Sequence, residues 1–312
     1  MKVIFMGTPE FAIPSLEAIH KEGHDILCVI TQPDRPKGRG MHFMPSPVKQ
    51  FTFRNHIKTI EPLKIKESQF IDIISGLGPE IIVVVAYGKI LPIEILEIPP
   101  MGCINLHASL LPKYRGAAPI NWAIINGEKE TGVTTQKMAL KLDAGDILLQ
   151  EKVEILESDT AGTLHDRLKA AGALTLTKTM ELIKINSIKP LPQDESKATF
   201  APRFKKEDGL IDWNKKAFSI FNLIRGTNPW PSAYTFLSGK LFKIWKASVV
   251  NNNSDNKPGT IIKDRGKFLV QTGNNLLSLE EVQLEGHKRM AVKDFLIGSH
   301  IPAGFDPTGK LH

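Results

Sequence analysis

The segment Glu80–Ala86, EIIVVVA, constrains the fold more than any other part of the chain. It is a continuous apolar run rich in β-branched residues, without the polar alternation of a half-exposed strand. Such a run suits a strand covered on both faces, as in a parallel sheet flanked by helices. Val3–Met6, Ile26–Thr31, Gly102–Leu106 and Val133–Met138 read as further strands. Helical stretches fall between them. One starts at Thr8 as N-cap with Pro9 at the first helical position, and Ala12, Leu16 and Ile19 share one of its faces. Phe70–Leu77 and Ala118–Ile125 are the next helices.

Strands alternating with helices predict an α/β fold, a doubly wound, mostly parallel, Rossmann-like sheet with right-handed crossovers. Ligands of such sheets bind beyond the carboxyl ends of the strands. The segments after Met6, Thr31, Ala86, Leu106 and Met138 are therefore the places for a site. The first of them, Gly7-Thr8-Pro9, is not a GxGxxG turn and gives little support to a dinucleotide.

The texture changes in the second half. Residues 159–186 read as one long helix, and Ser187–Pro202 is rich in proline and polar residues. Ala233–Leu237, Phe242–Ala247, Thr260–Ile262, Phe268–Gln271 and Leu276–Leu279 are short β-like runs, spaced as in a small open β-barrel. The expected organisation is a domain over residues 1–188, a linker over 189–206 and a small β domain over 207–312. Trp213, Trp230 and Trp245 of that domain read mostly as core residues. The formal net charge is +7. Residues 1–205 hold 25 Lys and Arg against 23 Asp and Glu, whereas residues 206–312 hold 15 against 10. A basic C-terminal third fits a polyanionic partner, and it also fits an ordinary solvated lysine surface.

Cys28 and Cys103 are the only cysteines, and both lie in apolar runs, so they read as buried thiols. Neither CxxC nor HExxH occurs, which leaves little support for a zinc site. The apolar run at Val3–Met6 is too short for a signal peptide, and no run approaches the roughly 18 residues of a membrane span. A cytoplasmic location is expected.

The segment with the most chemistry is CINLHASLLPKYRG, Cys103–Gly116. Asn105 and His107 stand two apart at a strand end, so their side chains share a face. An amide N–H can hold a developing oxyanion while an imidazole moves a proton, a pairing suited to acyl transfer. An acidic partner normally orients such a histidine. Asp143, in Leu142-Asp143-Ala144-Gly145-Asp146 after the Val133–Met138 strand, is placed for that task on the same sheet edge. There is no GxSxG elbow, so direct attack by a substrate nucleophile is favoured over a covalent intermediate. A histidine at a strand end can equally be a structural hydrogen-bonder, and the residues alone leave both readings open.

CINLHASLLPKYRGAAPINWAIINGEKETGV followed by LDAGDIL closely resembles the formyltransferases that use 10-formyltetrahydrofolate. The resemblance implies that Asn105, His107 and Asp143 are catalytic and that 10-formyltetrahydrofolate is the co-substrate, with no metal. It implies further that Ser109, Leu110, Leu111 and Pro112 contact the folate. Backbone around Tyr87, Gly88 and Leu91, with the loop Ala139–Asp143, would enclose the pterin. Family members usually carry an acidic residue where Ala139-Leu140-Lys141 stands here, which leaves the details of that loop open. The long segment Gln32–Lys49 is cationic through Arg35, Lys37, Arg39 and Lys49, and its glycines allow close backbone approach to a partner. A PDRPxGRG loop of this kind belongs to the branch of the family acting on methionyl initiator tRNA, where it meets the acceptor end. By that resemblance Arg35, Lys37 and Arg39 contact tRNA, Arg39 being the arginine on which the branch depends. The C-terminal motifs around Ile211-Asp212-Trp213, Asn228–Ala233 and Lys243–Ala247 match an OB-like barrel whose lysines and arginines serve the same nucleic acid. Members of the family generally act as monomers. A sibling formylating a small amine, a hydrolase consuming the folate, and a non-catalytic tRNA-binding α/β module are the alternatives.

Overall fold

The EIIVVVA run forms a strand, Ile81–Val85, whose five residues are all buried. The computed structural model describes residues 1–37, 42–264, 266–298 and 303–305. In chain order the first elements are β1 (Lys2–Gly7), α1 (Ile13–Lys21), β2 (Asp25–Ile30), β3 (Arg35–Lys37), β4 (His42–Met44), α2 (Pro47–Arg54), β5 (Thr59–Ile60), α3 (Ser68–Gly76) and β6 (Ile81–Val85). Then come α4 (Ile93–Leu96), β7 (Cys103–His107), β8 (Arg115–Gly116), α5 (Pro119–Ile125), β9 (Glu130–Lys137), β10 (Ile147–Glu154), α6 (Ala161–Lys184) and β11 (Phe200–Ala201).

Seven of these strands form one sheet in the order β10-β9-β7-β6-β1-β2-β5. The five from β7 to β5 are parallel. Ile4 and Met6 of β1, Cys28 and Ile30 of β2, and Ile82 and Val84 of β6 pack with Phe70 and Ile74 of α3 into a buried cluster. The chain order makes β1 and β6 the neighbours at which the sheet's direction of growth reverses, so ligands are expected near their carboxyl ends.

Two features depart from expectation. The strand expected at Val133–Met138 is β9, and it runs antiparallel to β7, with β10 antiparallel beside it. Charged residues of β10, an outer strand exposed over much of its length, mask it in the sequence. Nor does Thr8 cap α1. Pro9 opens a short 3-10 turn over Glu10–Ala12, and α1 begins at Ile13 with Pro14 in its first turn. The Thr8 hydroxyl is used elsewhere: it donates to the carbonyl of Tyr87 at 3.2 Å, tying together the loops after β1 and β6.

The chain divides into two compact units, one of residues 1–119, 130–154 and 165–201, the other of 120–129, 155–164 and 202–312. Of the stretch 189–206, expected as a linker, residues up to Ala201 belong to the first unit. Leu191 bridges Ile147, and β11 pairs in parallel with β8. Individual hydrogen bonds hold this segment rather than a periodic apolar face, which is why its composition suggests a linker.

The second unit adds α7 (Ala217–Gly226), β12 (Ala233–Leu237), β13 (Lys240–Val250), β14 (Ile261–Asp264), β15 (Lys267–Gln271), β16 (Leu276–Leu284), β17 (Met290–Ala291) and α8 (Val292–Gly298). Its strands form an antiparallel sheet ordered β12-β13-β16-β15-β14, with β17 on β16; among the described residues β12 and β14 do not pair, so the sheet is open. Phe242, Phe268, Phe295 and Phe305 fill its core, and Trp213 stacks on Phe305 at 5.2 Å. Only Trp213 of the three tryptophans is fully buried. Trp230 is largely exposed, and Trp245 lies under Lys243 and Arg289 at 5.6 and 5.0 Å. Residues 120–129 and 155–164 are fastened into this unit by side chains. Asn121 Nδ2 donates to Gly226 O at 2.8 Å, the Trp122 indole N–H donates to Pro202 O at 2.9 Å, and Trp122 stacks on Phe204 at 4.8 Å. Arg225 donates to Asp159 O and Leu156 O at 2.7 and 2.6 Å. Among the described residues no helix is long and apolar enough to cross a membrane.

The buried parallel core should dominate the stability of the first unit. Ile82→Ala empties a fully buried site and is expected to cost about 2–5 kcal/mol in urea unfolding. Phe53→Ala removes an exposed ring and should stay within about 0.5 kcal/mol of the parent.

Candidate active site

β7 ends at His107, and Asn105 lies two residues before it on the same face. Across the antiparallel pair, Asn105 faces Gln136 and His107 faces Thr134. These four polar side chains share one face of the sheet. His107 is 6% exposed, with Nε2 2.9 Å from the carbonyl of Tyr114. A carbonyl only accepts, so Nε2 carries the proton of that bond. Nδ1 faces Asp143 Oδ2 at 3.7 Å, close enough for an ion pair and too long for a hydrogen bond.

Asp143 does not reach His107 from the same sheet edge. Because β9 is antiparallel, it ends with Lys137 beside Ile104, near the start of β7. The loop from β9 to β10 therefore turns back over the sheet face to bring the carboxylate to the strand's other end. Three bonds hold it there. Gly116 N–H donates to Asp143 Oδ2 at 2.9 Å, Gln136 Nε2 donates to Oδ1 at 3.2 Å, and Gln193 Nε2 donates to the Asp143 carbonyl at 2.9 Å. Asp143 itself sits at φ +50°, Tyr114 at +60° and Ala86 at +49°. Left-handed backbone at three non-glycine residues, in the loops after β6, β7 and β9, is the strain that functional sites tend to store.

The Ser109–Pro112 turn is built from inside. Thr134 Oγ1 donates to Ser109 O at 2.6 Å and accepts the Leu111 N–H at 3.1 Å, while Gln150 Nε2 donates to Leu111 O at 2.9 Å. Ser109 donates its own hydroxyl to Lys113 O at 2.6 Å. Ser109 and Leu111 are buried, so what this turn offers a ligand is Leu110, Pro112 and backbone. Tyr87 and Leu91 are likewise buried in the apolar cluster, whereas Gly88, at φ +84°, has open space around it. Burial pushes the Tyr87 phenol up to about 12.

β3 and β4 make a short hairpin, with Arg35 opposite Met44 and Lys37 opposite His42. Arg39 lies outside the described residues. Lys49 is not a free cation of this segment, since its Nζ contacts Asp34 Oδ2 at 2.8 Å and Glu61 Oε2 at 2.9 Å. Those hydrogen bonds, Asp34's first, raise its pKa.

Sequence reasoning missed the residues that support this site. Gln136 and Thr134 become visible only once β9 is known to be antiparallel. Gln193 lies in the proline-rich stretch and has no local signature. Arg115, 1% exposed, donates from Nε and Nη2 to Gln193 Oε1 at 3.1 and 2.7 Å, and from Nη2 to Glu195 Oε1 at 2.6 Å. An amide, an imidazole and an oriented carboxylate on one sheet face can stabilise negative charge on a carbonyl oxygen and relay a proton.

Residues 1–180 match the formyl transferase family, and residues 203–300 match the formyl transferase C-terminal domain. The methionyl-tRNA formyltransferase of Caldanaerobacter subterraneus subsp. tengcongensis is 51% identical over 305 residues, covering 97% of this chain and 99% of that one. The protein of the same name from Alkaliphilus oremlandii is 52% identical, covering 97% and 98%. The solved N-formyltransferase from Helicobacter canadensis, in complex with folinic acid and dTDP-3-aminofucose, has a TM-score of 0.67 at 22% identity, over 89% of this chain and 99% of that one. At that identity the likeness bears on the fold alone.

Arg115 first and Lys141 second hold the Glu195 carboxyl down at about 2, against an ordinary 4.5. A carboxyl depressed by folding contributes stability in full above its unfolded value and loses it as pH falls toward the folded one. The Tm difference between the parent and Glu195→Gln should therefore be constant above about pH 5 and shrink between pH 4.5 and 2. Thermal melts across pH 2–6 measure it, and a difference independent of pH would exclude the linkage.

Proposed function

Since the chain belongs to the formyl transferase family, we propose that it moves the formyl group of 10-formyltetrahydrofolate onto the α-amino group of methionyl initiator tRNA. The observation that carries this is the similarity to methionyl-tRNA formyltransferases at about half identity over 97% of the chain. It extends through both units of the chain.

An amino acid esterified to tRNA has a weakened amine base, so much of it is neutral and nucleophilic near pH 7. As it attacks the formyl carbon, the Asn105 amide and the His107 ring donate to the oxygen on which negative charge grows. The proton lost by the attacking amine is relayed through the His107 ring to the departing folate nitrogen, so the ring ends as it began. Asp143 keeps the ring oriented and balances its charge while the proton is in transit. To do this, His107 Nε2 must exchange the Tyr114 carbonyl for the reacting groups. Leu110, Pro112 and the backbone of the Ser109–Pro112 turn, with backbone at Tyr87, Gly88 and Leu91, line the folate. Arg35, Lys37 and Arg39 engage the acceptor end of the tRNA; Lys49, neutralised by two carboxylates, holds the base of that loop. In this scheme the first unit, with residues 189–201 as part of its support, carries the chemistry, and residues 207–312 offer cations to the tRNA backbone. The enzyme acts as a monomer in the cytoplasm, without metal or membrane.

Incubation with a labelled formyl donor and charged initiator tRNA, beside amino sugars and ribonucleotide amines, tests the assignment; label on a small amine alone would overturn it. His107→Ala should lower kcat by a factor on the order of 100 or more. Arg39→Ala should raise KM for tRNA while KM for the folate stays unchanged, and tRNA affinity should fall steeply with added salt.

A further inference from the structure

We propose that Gln193 is a positioning residue for formyl transfer: its side-chain amide, oriented by the buried guanidinium of Arg115, holds the Asp143 loop over the sheet and fixes the Asp143 carboxylate beside His107. The role of Asp143 in chemistry rests on the function proposed above; the hydrogen-bond arrangement does not.

The need for such a device follows from topology. The loop carrying Asp143 leaves β9 beside Ile104 and must turn back toward His107. Few of its own bonds direct it there. Lys137 N–H donates to Asp146 O at 2.9 Å and Ala144 N–H to Lys141 O at 3.3 Å, and these only close the turn. At Gly145 an added Cβ would lie 1.7 Å from the Lys137 carbonyl, so the turn is tight, but tightness does not aim it. Gln193 Nε2 reaches across to two carbonyls of the loop, Asp143 O at 2.9 Å and Gly145 O at 2.6 Å.

The direction of these bonds is determined. Arginine has donors only, so the Gln193 atom facing Arg115 Nε and Nη2 is its oxygen, and the NH2 group must face the loop. The same NH2 lies 3.4 Å from Gln136 Oε1. With its oxygen turned to Gln193, Gln136 presents its own NH2 to Asp143 Oδ1 at 3.2 Å. The other carboxylate oxygen accepts the N–H of Gly116, the residue after Arg115. One chain of donors therefore runs from a cation through two amides to the carboxylate, each link polarising the next. Among the described residues Arg115 Nη1 has no partner, so Gln193 and Glu195 are all that answers the buried charge. That fastens Gln193 in place.

Gln193→Glu tests the proposal with almost no change of volume. It keeps an oxygen for Arg115 but turns an acceptor toward Asp143 O, Gly145 O and Gln136 Oε1. The expected result is a fall in kcat of about tenfold or more with KM for tRNA and folate within about twofold, as for a displaced catalytic group. The His107 ring-nitrogen resonances of substrate-free, ¹⁵N-labelled protein should also move. A residue that only fills space would leave both at the parent's values, and that outcome overturns the proposal. If the parent itself transfers no formyl group, the proposed function fails, and the ring resonances alone still decide whether Gln193 positions Asp143. Should Gln193→Glu not fold, Gln136→Glu breaks the next link with Gln193 still clamped. It must then show the same loss of kcat and the same shift, and parent-like behaviour would overturn the proposal.

Discussion

A guanidinium withdrawn from water needs its charge answered within hydrogen-bond reach, and around Arg115 that requirement organises the neighbourhood. Gln193 and Glu195 meet it, and both come from the proline-rich stretch that a composition-based reading leaves unstructured. Drawing that stretch inward brings β11 alongside β8. There Gly116, at φ +121°, lets the Ala201 carbonyl approach to where a Cβ would be only 2.7 Å away. The N–H of the same glycine then points at Asp143. One buried cation thus couples the end of the first unit to the geometry of the face that carries Asn105 and His107.

The second organising fact is the antiparallel hairpin at the edge of an otherwise parallel sheet. In an all-parallel sheet, acidic partners for His107 would come from loops at the same edge. Here β9 instead supplies its side chains along the strand, Gln136 beside Asn105 and Thr134 beside His107. Thr134 also supports the Ser109–Pro112 turn from below. The same strand therefore supports both the proposed reactive groups and the turn that would hold the folate.

How much of this was legible in the sequence differs from element to element, for physical reasons. The buried parallel strands were plain, because burial on both faces demands unbroken apolar runs such as IIVVV. Asn105 and His107 stood out as polar residues at such a strand's end. Asp143 was found as the partner, but the route given for it was wrong, since strand direction leaves no mark on composition. β10 was hidden because an outer strand tolerates charge. Gln136 and Gln193 were missed because an amide that orients other groups looks like any surface glutamine until its neighbours are known. Thr8, a good cap by type, is drawn away by the Tyr87 carbonyl, a tertiary demand that local propensity cannot register.

The division of the chain has a consequence for how the protein can be cut and rejoined. Residues 120–129 and 155–164 lie in the chain between segments of the first unit, yet they belong to the second, tied to it through the Asn121 and Trp122 side chains and the Leu156 and Asp159 carbonyls. A gene shortened after Ala201 would encode Asn121 and Trp122 without Gly226, Pro202 and Phe204, and Leu156 and Asp159 without Arg225. Such a fragment would leave these donors, acceptors and the Trp122 ring without the partners they have in the intact chain. The two units cannot be exchanged between relatives as cassettes at a single junction; the chain passes from one to the other five times, and a functional chimera would need all five junctions matched at once.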